Sequence, residues 1–275
     1  MEYVDLGNNI VVSKICIGGM SFGEASKEFH KWTLNQEETT KMIKEAFSSG
    51  INFIDTANCY ANGTSEKYIG NALKELNIPW EKVVIASKVY FNEGKLSRKA
   101  ILREVENTLK NLQTTHLDIY YIHKFDYDTP IEEVMTTLDE LVKLKKVRAI
   151  GASAMYEYQF RNMQVIAKKL NLTKFSVMQN HYNLLYREDE RELIPICKQY
   201  NVALVPYSPL AGGHLTHLEW NSNSLRSETD KNLKSKYDNE KENDLLIINR
   251  VHDLAIKYNV SMAQISLAWL FKKRG

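Results

Sequence analysis

The chain has 275 residues, 44% hydrophobic and 25% charged, with 36 Lys and Arg set against 34 Asp and Glu for a net charge of +2. That composition describes a soluble globular protein with ample core, and the even charge excludes a basic nucleic-acid footprint. No run approaches the roughly 18 apolar residues that span a bilayer, and the opening MEYVDLGNNI lacks a secretory pattern. Cys16, Cys59 and Cys197 are far apart, odd in number and without metal-ligand spacing, so a reduced, cytoplasmic setting is expected. The Asn-x-Ser/Thr sequons at Asn62, Asn171 and Asn259 then read as chance matches.

After a polar, hairpin-like N-terminal segment the chain alternates short apolar runs with amphipathic stretches. The runs are KICIGG (14–19), INFID (51–55), KVVIASKV (82–89), LDIYYIH (117–123), VRAIGAS (147–153), FSVMQN (175–180) and VALVPYS (202–208). They are rich in Val, Ile, Tyr and Phe without strict polar alternation, as strands covered on both faces are. Helices are expected at 35–50, ending on Gly50, and at 97–112, opening on Ser97 as N-cap. Another is expected at 129–146, with Pro130 in its first turn, followed by helices at 157–170 and 187–200. Residues 216–244 break the rhythm, being polar, charge-rich and long for a connection. The helix NVSMAQISLAWLFKK follows, and the chain stops where an eighth strand would begin.

Repeated strand–helix units about 30 residues apart, with no linker between them, predict a single α/β domain over 1–275. A (β/α)8 TIM barrel fits better than an open sheet, with its eighth strand and last helix missing. A seven-stranded barrel leaves backbone groups unpaired at its gap, so instability or self-association as a homo-oligomer is expected.

In such folds the working side chains sit at the carboxyl ends of strands. Here those ends carry Gly19, Met20 and Ser21, then Asp55, Lys88, His123, Ser153, Gln179 and Asn180, and Tyr207 and Ser208. Each has a plain alternative: Asp55 an Asx-turn, Lys88 a solvated strand end, His123 a satisfied core histidine. Their convergence argues for a site, because unpaired buried charge is costly and Asp55 and Lys88 would neutralise one another. Tyr60 completes the set. Its phenol, ordinarily near pKa ~10, becomes a better acid beside an ammonium. Tyrosine, lysine, aspartate and histidine together suit protonation of a carbonyl oxygen while hydride reaches its carbon.

The motifs FIDTANCY, ASKV, YYIHKFD, IGAS, MQNHYNLL and PYSPLAGG, in this order, resemble the aldo-keto reductase family across essentially the whole chain. The likeness is drawn toward larger bacterial members similar to the potassium-channel β-subunit type. It implies a (β/α)8 barrel that reduces an aldehyde or ketone with NADPH, with Tyr60 as general acid. Lys88 and Asp55 would tune Tyr60, and His123 would orient or polarise the carbonyl. It also implies a cofactor set of Met20, Ser21, Asp55, Ser153, Gln179, Tyr207, Ser208, Pro209, Leu210 and Gly212. Within it, Ser153 and Gln179 would bond the nicotinamide carboxamide and Tyr207 would stack on the ring. Backbone groups of Ser208, Leu210 and Gly212 would surround the pyrophosphate, although the same loop also reads as a plain glycine turn.

Two departures stand out. The family usually has Asn after Ser153, and this chain has Ala154, so weaker cofactor binding is expected. The C-terminal loop that usually meets the adenosine 2′-phosphate is absent, leaving NADP(H) preference without a visible residue. Arg226 offers a charge, but a solvated surface arginine is its default reading. An NADP(H)-binding or sensing protein with little turnover is the competing function. A metal-dependent hydrolase built on Asp55, His123 and Asp126 is a third, and it leaves Tyr60 and Lys88 without work. No metal is expected.

Overall fold

The computed structural model describes residues 1–26 and 29–273. The chain opens with an antiparallel hairpin, β1 (Tyr3–Asp5) and β2 (Val11–Ser13), in which Val4 faces Val12. From β3 (Cys16–Gly18) onward strands and helices alternate. They are α1 (Gln36–Ser48), β4 (Phe53–Asp55), α2 (Thr64–Glu75), β5 (Val84–Val89), α3 (Arg98–Leu112) and β6 (Leu117–Ile122). Then come α4 (Ile131–Lys143), β7 (Val147–Ser153), α5 (Glu157–Lys169), β8 (Val177–Gln179), α6 (Leu193–Gln199) and β9 (Ala203–Leu204). The remainder is helical: α7 (Leu225–Thr229), α8 (Lys231–Tyr237), α9 (Lys241–Tyr258) and α10 (Met262–Lys272).

The sheet runs in chain order from β3 to β9, and its neighbours from β3 to β7 are parallel. Sequential parallel strands joined through helices are the α/β pattern of a (β/α)8 TIM barrel, with seven of its eight strands among the described residues. Every residue of β5 and β6 is buried, which is why those segments read as continuous apolar runs. The chain divides into two compact units, one of Met1–Met178 with Tyr200–Ala203 and the other of Gln179–Gln199 with Leu204–Gly275.

Most expected helices form. Ser97 accepts from the Ala100 amide to start α3 as anticipated, and capping boxes not read from the sequence, Asn35 with Glu38 and Ser261 with Gln264, start α1 and α10. Three boundaries differ. Pro130 stands at the N-cap of α4, not inside its first turn, and the Thr129 hydroxyl donates instead to Asp126 (2.7 Å). Helix α6 begins at Leu193, placing Pro195 in its first turn, where a missing N–H costs nothing. The segment 216–244 is not irregular throughout: it contains α7 and α8. Trp220, Leu233 and Tyr237 pin it to a core with Leu215, Ile248, Val251 and Met262. Two helices, α2 and α9, were not anticipated.

Candidate active site

Strand register sets the first three groups. Asp55 pairs in register with Ala86, and Lys88 lies two residues beyond Ala86, so both side chains leave the same face of the sheet. Lys88 pairs with Tyr121, and His123 lies two residues past Tyr121, continuing that face with its amide donating to the Val89 carbonyl (2.9 Å). Tyr121 also pairs with Gly151, where a Cβ would stand 2.4 Å from the tyrosine ring, so only glycine lets that ring lie across the layer. Ser153, two beyond Gly151 and 2% exposed, ends β7 on the same face.

Tyr60 arrives by a different route. After β4 the chain turns through Ala61 (φ 45°), Asn62 (φ 54°) and Gly63 (φ 83°), three successive left-handed residues. Such a conformation costs an alanine about 1–2 kcal/mol, so the neighbours must hold it. The Thr64 hydroxyl does so, donating to the Ala61 carbonyl (2.6 Å). The reversal brings the Tyr60 hydroxyl to 3.4 Å from Lys88 Nζ. Lys88, with no exposed surface, also donates to Asp55 Oδ1 and to the Thr56 carbonyl (2.8 Å). The His123 ring meets Tyr60 edge to face, with centroids 5.7 Å apart.

These contacts set the charges. Burial acts to lower the Lys88 pKa, but the Asp55 carboxylate and Tyr60 beside it lift it above the ordinary lysine value, so the ammonium keeps its proton. Burial pushes the Tyr60 phenol up, outweighing the downward pull of Lys88. The sequence expectation of a lowered phenol is therefore reversed in the balance: Lys88 acts as anticipated, but desolvation is larger. Burial and the Lys88 charge together hold His123 well below the usual histidine range, so it is neutral at pH 7.

The second unit carries Gln179, at the end of β8, and the loop from Tyr207 to Gly213. The Tyr207 ring lies parallel to His181 (5.1 Å, 7°), and His181 stacks in turn on Tyr186 (4.2 Å). Four left-handed residues follow: Ser208 (φ 53°), Ala211 (φ 50°), Gly212 (φ 65°) and Gly213 (φ 119°). The amides of Ala211 and Gly213 close turns onto Ser208 and Leu210 (2.9 Å each). Those of Ser208, Leu210 and Gly212 donate to no acceptor among the described residues, and Pro209 has no N–H. Three amides of one loop without an internal acceptor fit an anionic group. Gly212 has a second reason to be glycine, since a Cβ there would fall 2.1 Å from Leu233 Cδ1.

Of the anticipated residues, Asp55, Tyr60, Lys88 and His123 come together as one contact cluster in the first unit. Met20 and Ser21 form a short turn at the end of β3, the strand beside β4. Arg226 bonds Asp230 (3.2 Å), whose carboxylate also caps α8. Ala154 occupies a left-handed position (φ 45°), a conformation that asparagine adopts more readily. Among the described residues no group of three His, Cys, Asp or Glu is arranged to hold a metal ion, and no helix is long and apolar enough to cross a membrane.

Several residues escaped the sequence reading. Glu66, fully buried, accepts from Ser87 (2.7 Å), Thr108 (2.8 Å) and Asn111 (3.0 Å), tying α2 to β5 and α3 behind Lys88. Phe91 meets His123 edge to face at 5.0 Å and Phe29 lies 6.5 Å from Tyr60, giving the cluster an aromatic border. Asn183 donates to the Ser208 carbonyl (2.9 Å) and to the Tyr237 hydroxyl (3.0 Å), anchoring the glycine loop. Only long-range contacts identify these four, although Glu66 and Asn183 lie inside or beside the quoted motifs.

A parallel α/β fold thus carries a buried lysine–aspartate pair under a tyrosine. The sequence profile of the Aldo/keto reductase family matches residues 14–275, and the chain belongs to that family. It is 40% identical to an aldo-keto reductase of Fusarium vanettenii, over 99% of this chain and 81% of the other. Versiconal hemiacetal acetate reductase of Aspergillus parasiticus is 40% identical, over 98% of this chain and 85% of its own. A putative aryl-alcohol dehydrogenase of Schizosaccharomyces pombe matches at 40%, again over 98% and 85%. All three are fungal, and the bacterial, channel-subunit-like branch anticipated from the motifs is not among them.

Proposed function

We propose that this chain reduces an aldehyde or ketone to an alcohol with NADPH, Tyr60 supplying the proton. The observation that carries the reading is Lys88: wholly buried, bonded to Asp55 and 3.4 Å from the Tyr60 hydroxyl. A phenol held above its ordinary pKa keeps its proton until it is needed. The adjacent ammonium then stabilises the phenolate that develops as the proton leaves for the carbonyl oxygen. Asp55 keeps Lys88 charged and fixed in place. Neutral His123 donates a hydrogen bond to the same oxygen, and Phe29 and Phe91 border an apolar carbonyl compound.

NADPH, when bound, supplies the hydride that reaches the carbonyl carbon. In the first unit Ser153, with Met20, Ser21 and Asp55, would hold its nicotinamide end. In the second unit Gln179 and Tyr207, whose ring lies parallel to His181, would serve the cofactor as well. The undonated amides of Ser208, Leu210 and Gly212, with Pro209 shaping the turn, would take the pyrophosphate. Relatives named as a reductase and an aryl-alcohol dehydrogenase support the reaction class. The three thiols are free, which suits a cytoplasmic enzyme.

Tyr60→Phe tests the reading: carbonyl reduction should fall by at least about 100-fold, the usual scale of general-acid catalysis. NADPH binding, read by fluorescence quenching, should stay within a few-fold of native. Retained turnover in Tyr60→Phe would refute the proton-donor role. In the same titration NADP(H) should bind slightly more tightly than NAD(H).

A further inference from the structure

Cys59 sits immediately before Tyr60, and its sulfur lies 3.9 Å from His123 Nδ1, a reach that suits a thiol hydrogen bond. No side chain among the described residues bonds His123 Nε2. We infer that Cys59 is a positioning residue for His123: its S–H donates to Nδ1, leaving the imidazole proton on Nε2, on the far side of the ring. The inference rests on the reductase reading, in which His123 must present an N–H and not a lone pair to the carbonyl oxygen.

Three facts choose this direction over N–H donation to sulfur. A neutral imidazole has one donor and one acceptor nitrogen, and its acceptor is far stronger than a thiol sulfur. The thiol keeps its proton, because burial pushes Cys59 up to about 11. His123 is uncharged, since burial and Lys88 both oppose a second proton. The other groups against the ring, Tyr60 and Phe91, meet it edge to face and offer Nδ1 no stronger partner. Cys59 therefore decides which of the two ring nitrogens carries the proton. Its half-buried, protonated thiol also makes it a poor nucleophile, so a redox role has no support here.

The ring tautomer is read directly in 15N-labelled full-length chain from long-range proton–nitrogen couplings, with His123→Asn to assign the signals. Native protein should show His123 protonated on Nε2. Cys59→Val, which keeps the volume and removes the donor, should raise the Nδ1–H fraction roughly two- to five-fold, as loss of one weak hydrogen bond implies. Carbonyl turnover should drop by less than about two-fold, because the Nε2–H form remains a major species, with NADPH affinity unchanged. Cys59→Ser should restore the Nε2–H form. A native ring protonated on Nδ1, or the same tautomer ratio in native and Cys59→Val, would overturn the inference. Because the readout needs no turnover, a Cys59-dependent tautomer in a chain that reduces no carbonyl would uphold this inference and sink the reductase reading.

Discussion

The Lys88–Asp55 pair allows a quantitative test that needs no substrate. Lys88 is wholly buried and Asp55 is 7% exposed, so neither charge has water to fall back on if its partner is removed. Asp55→Asn leaves a buried ammonium and Lys88→Met leaves a buried carboxylate. Each should cost about 3–5 kcal/mol, the usual penalty for breaking a buried ion pair from one side. Lys88→Met also strips the Thr56 carbonyl of its 2.8 Å donor, adding roughly 1 kcal/mol. The double variant carries no unpaired charge and should lose no more than the worse single change. The coupling energy should therefore reach about 3 kcal/mol, against under ~1 kcal/mol for a solvated pair. Urea denaturation of the four proteins at pH 7, followed by circular dichroism, measures it. Costs that add to within about 0.5 kcal/mol would mean that the two groups do not depend on one another, and the electrostatic account of Tyr60 would fail with them.

Other consequences can be checked on the same footing. Gly212→Ala forces a left-handed alanine against Leu233 and should cost about 1–3 kcal/mol, an amount that Leu233→Ala in the same chain should reduce; equal costs in both backgrounds would exclude the clash. Ala154→Asn should stabilise the fold by about 0.5–1 kcal/mol, because asparagine tolerates the positive φ better, and a midpoint that does not rise would contradict this. His181, pushed down by burial to about 4, is neutral in the folded chain at a pH where the unfolded chain is protonated. Its folded pKa lies below its unfolded one, so stability from this residue is full above about pH 6.5 and falls by roughly 3 kcal/mol on acidification toward pH 4. Asp244, raised by burial to about 6, slopes the other way. The test is therefore the difference between native and His181→Gln melting curves across that range, and parallel curves would argue against the burial assigned to His181.

The order of strands and helices was legible in the sequence because each strand is a short run of Val, Ile, Tyr and Phe, and most helices carry their own caps. Asn35, Ser97 and Ser261 act within a few residues of themselves, so local chemistry decided those starts. Asp55, Lys88, His123 and Ser153 were legible as strand ends, and period-two alternation then required them to share a face. The helical segment 216–244 escaped because Trp220, Leu233 and Tyr237 are isolated apolar residues in a charged stretch, with no period to betray them. Their partners, such as Ile248 and Met262, lie far along the chain.

The balance at Tyr60 was beyond sequence for a related reason. The residue types named an ammonium beside a phenol, which predicts a lowered pKa. Only the packing shows how deeply the phenol is desolvated, and that loss of water outweighs the pull of Lys88. Side-chain identity and spacing thus determined which groups meet, while burial, which depends on everything packed around them, decided the protonation state in which they meet.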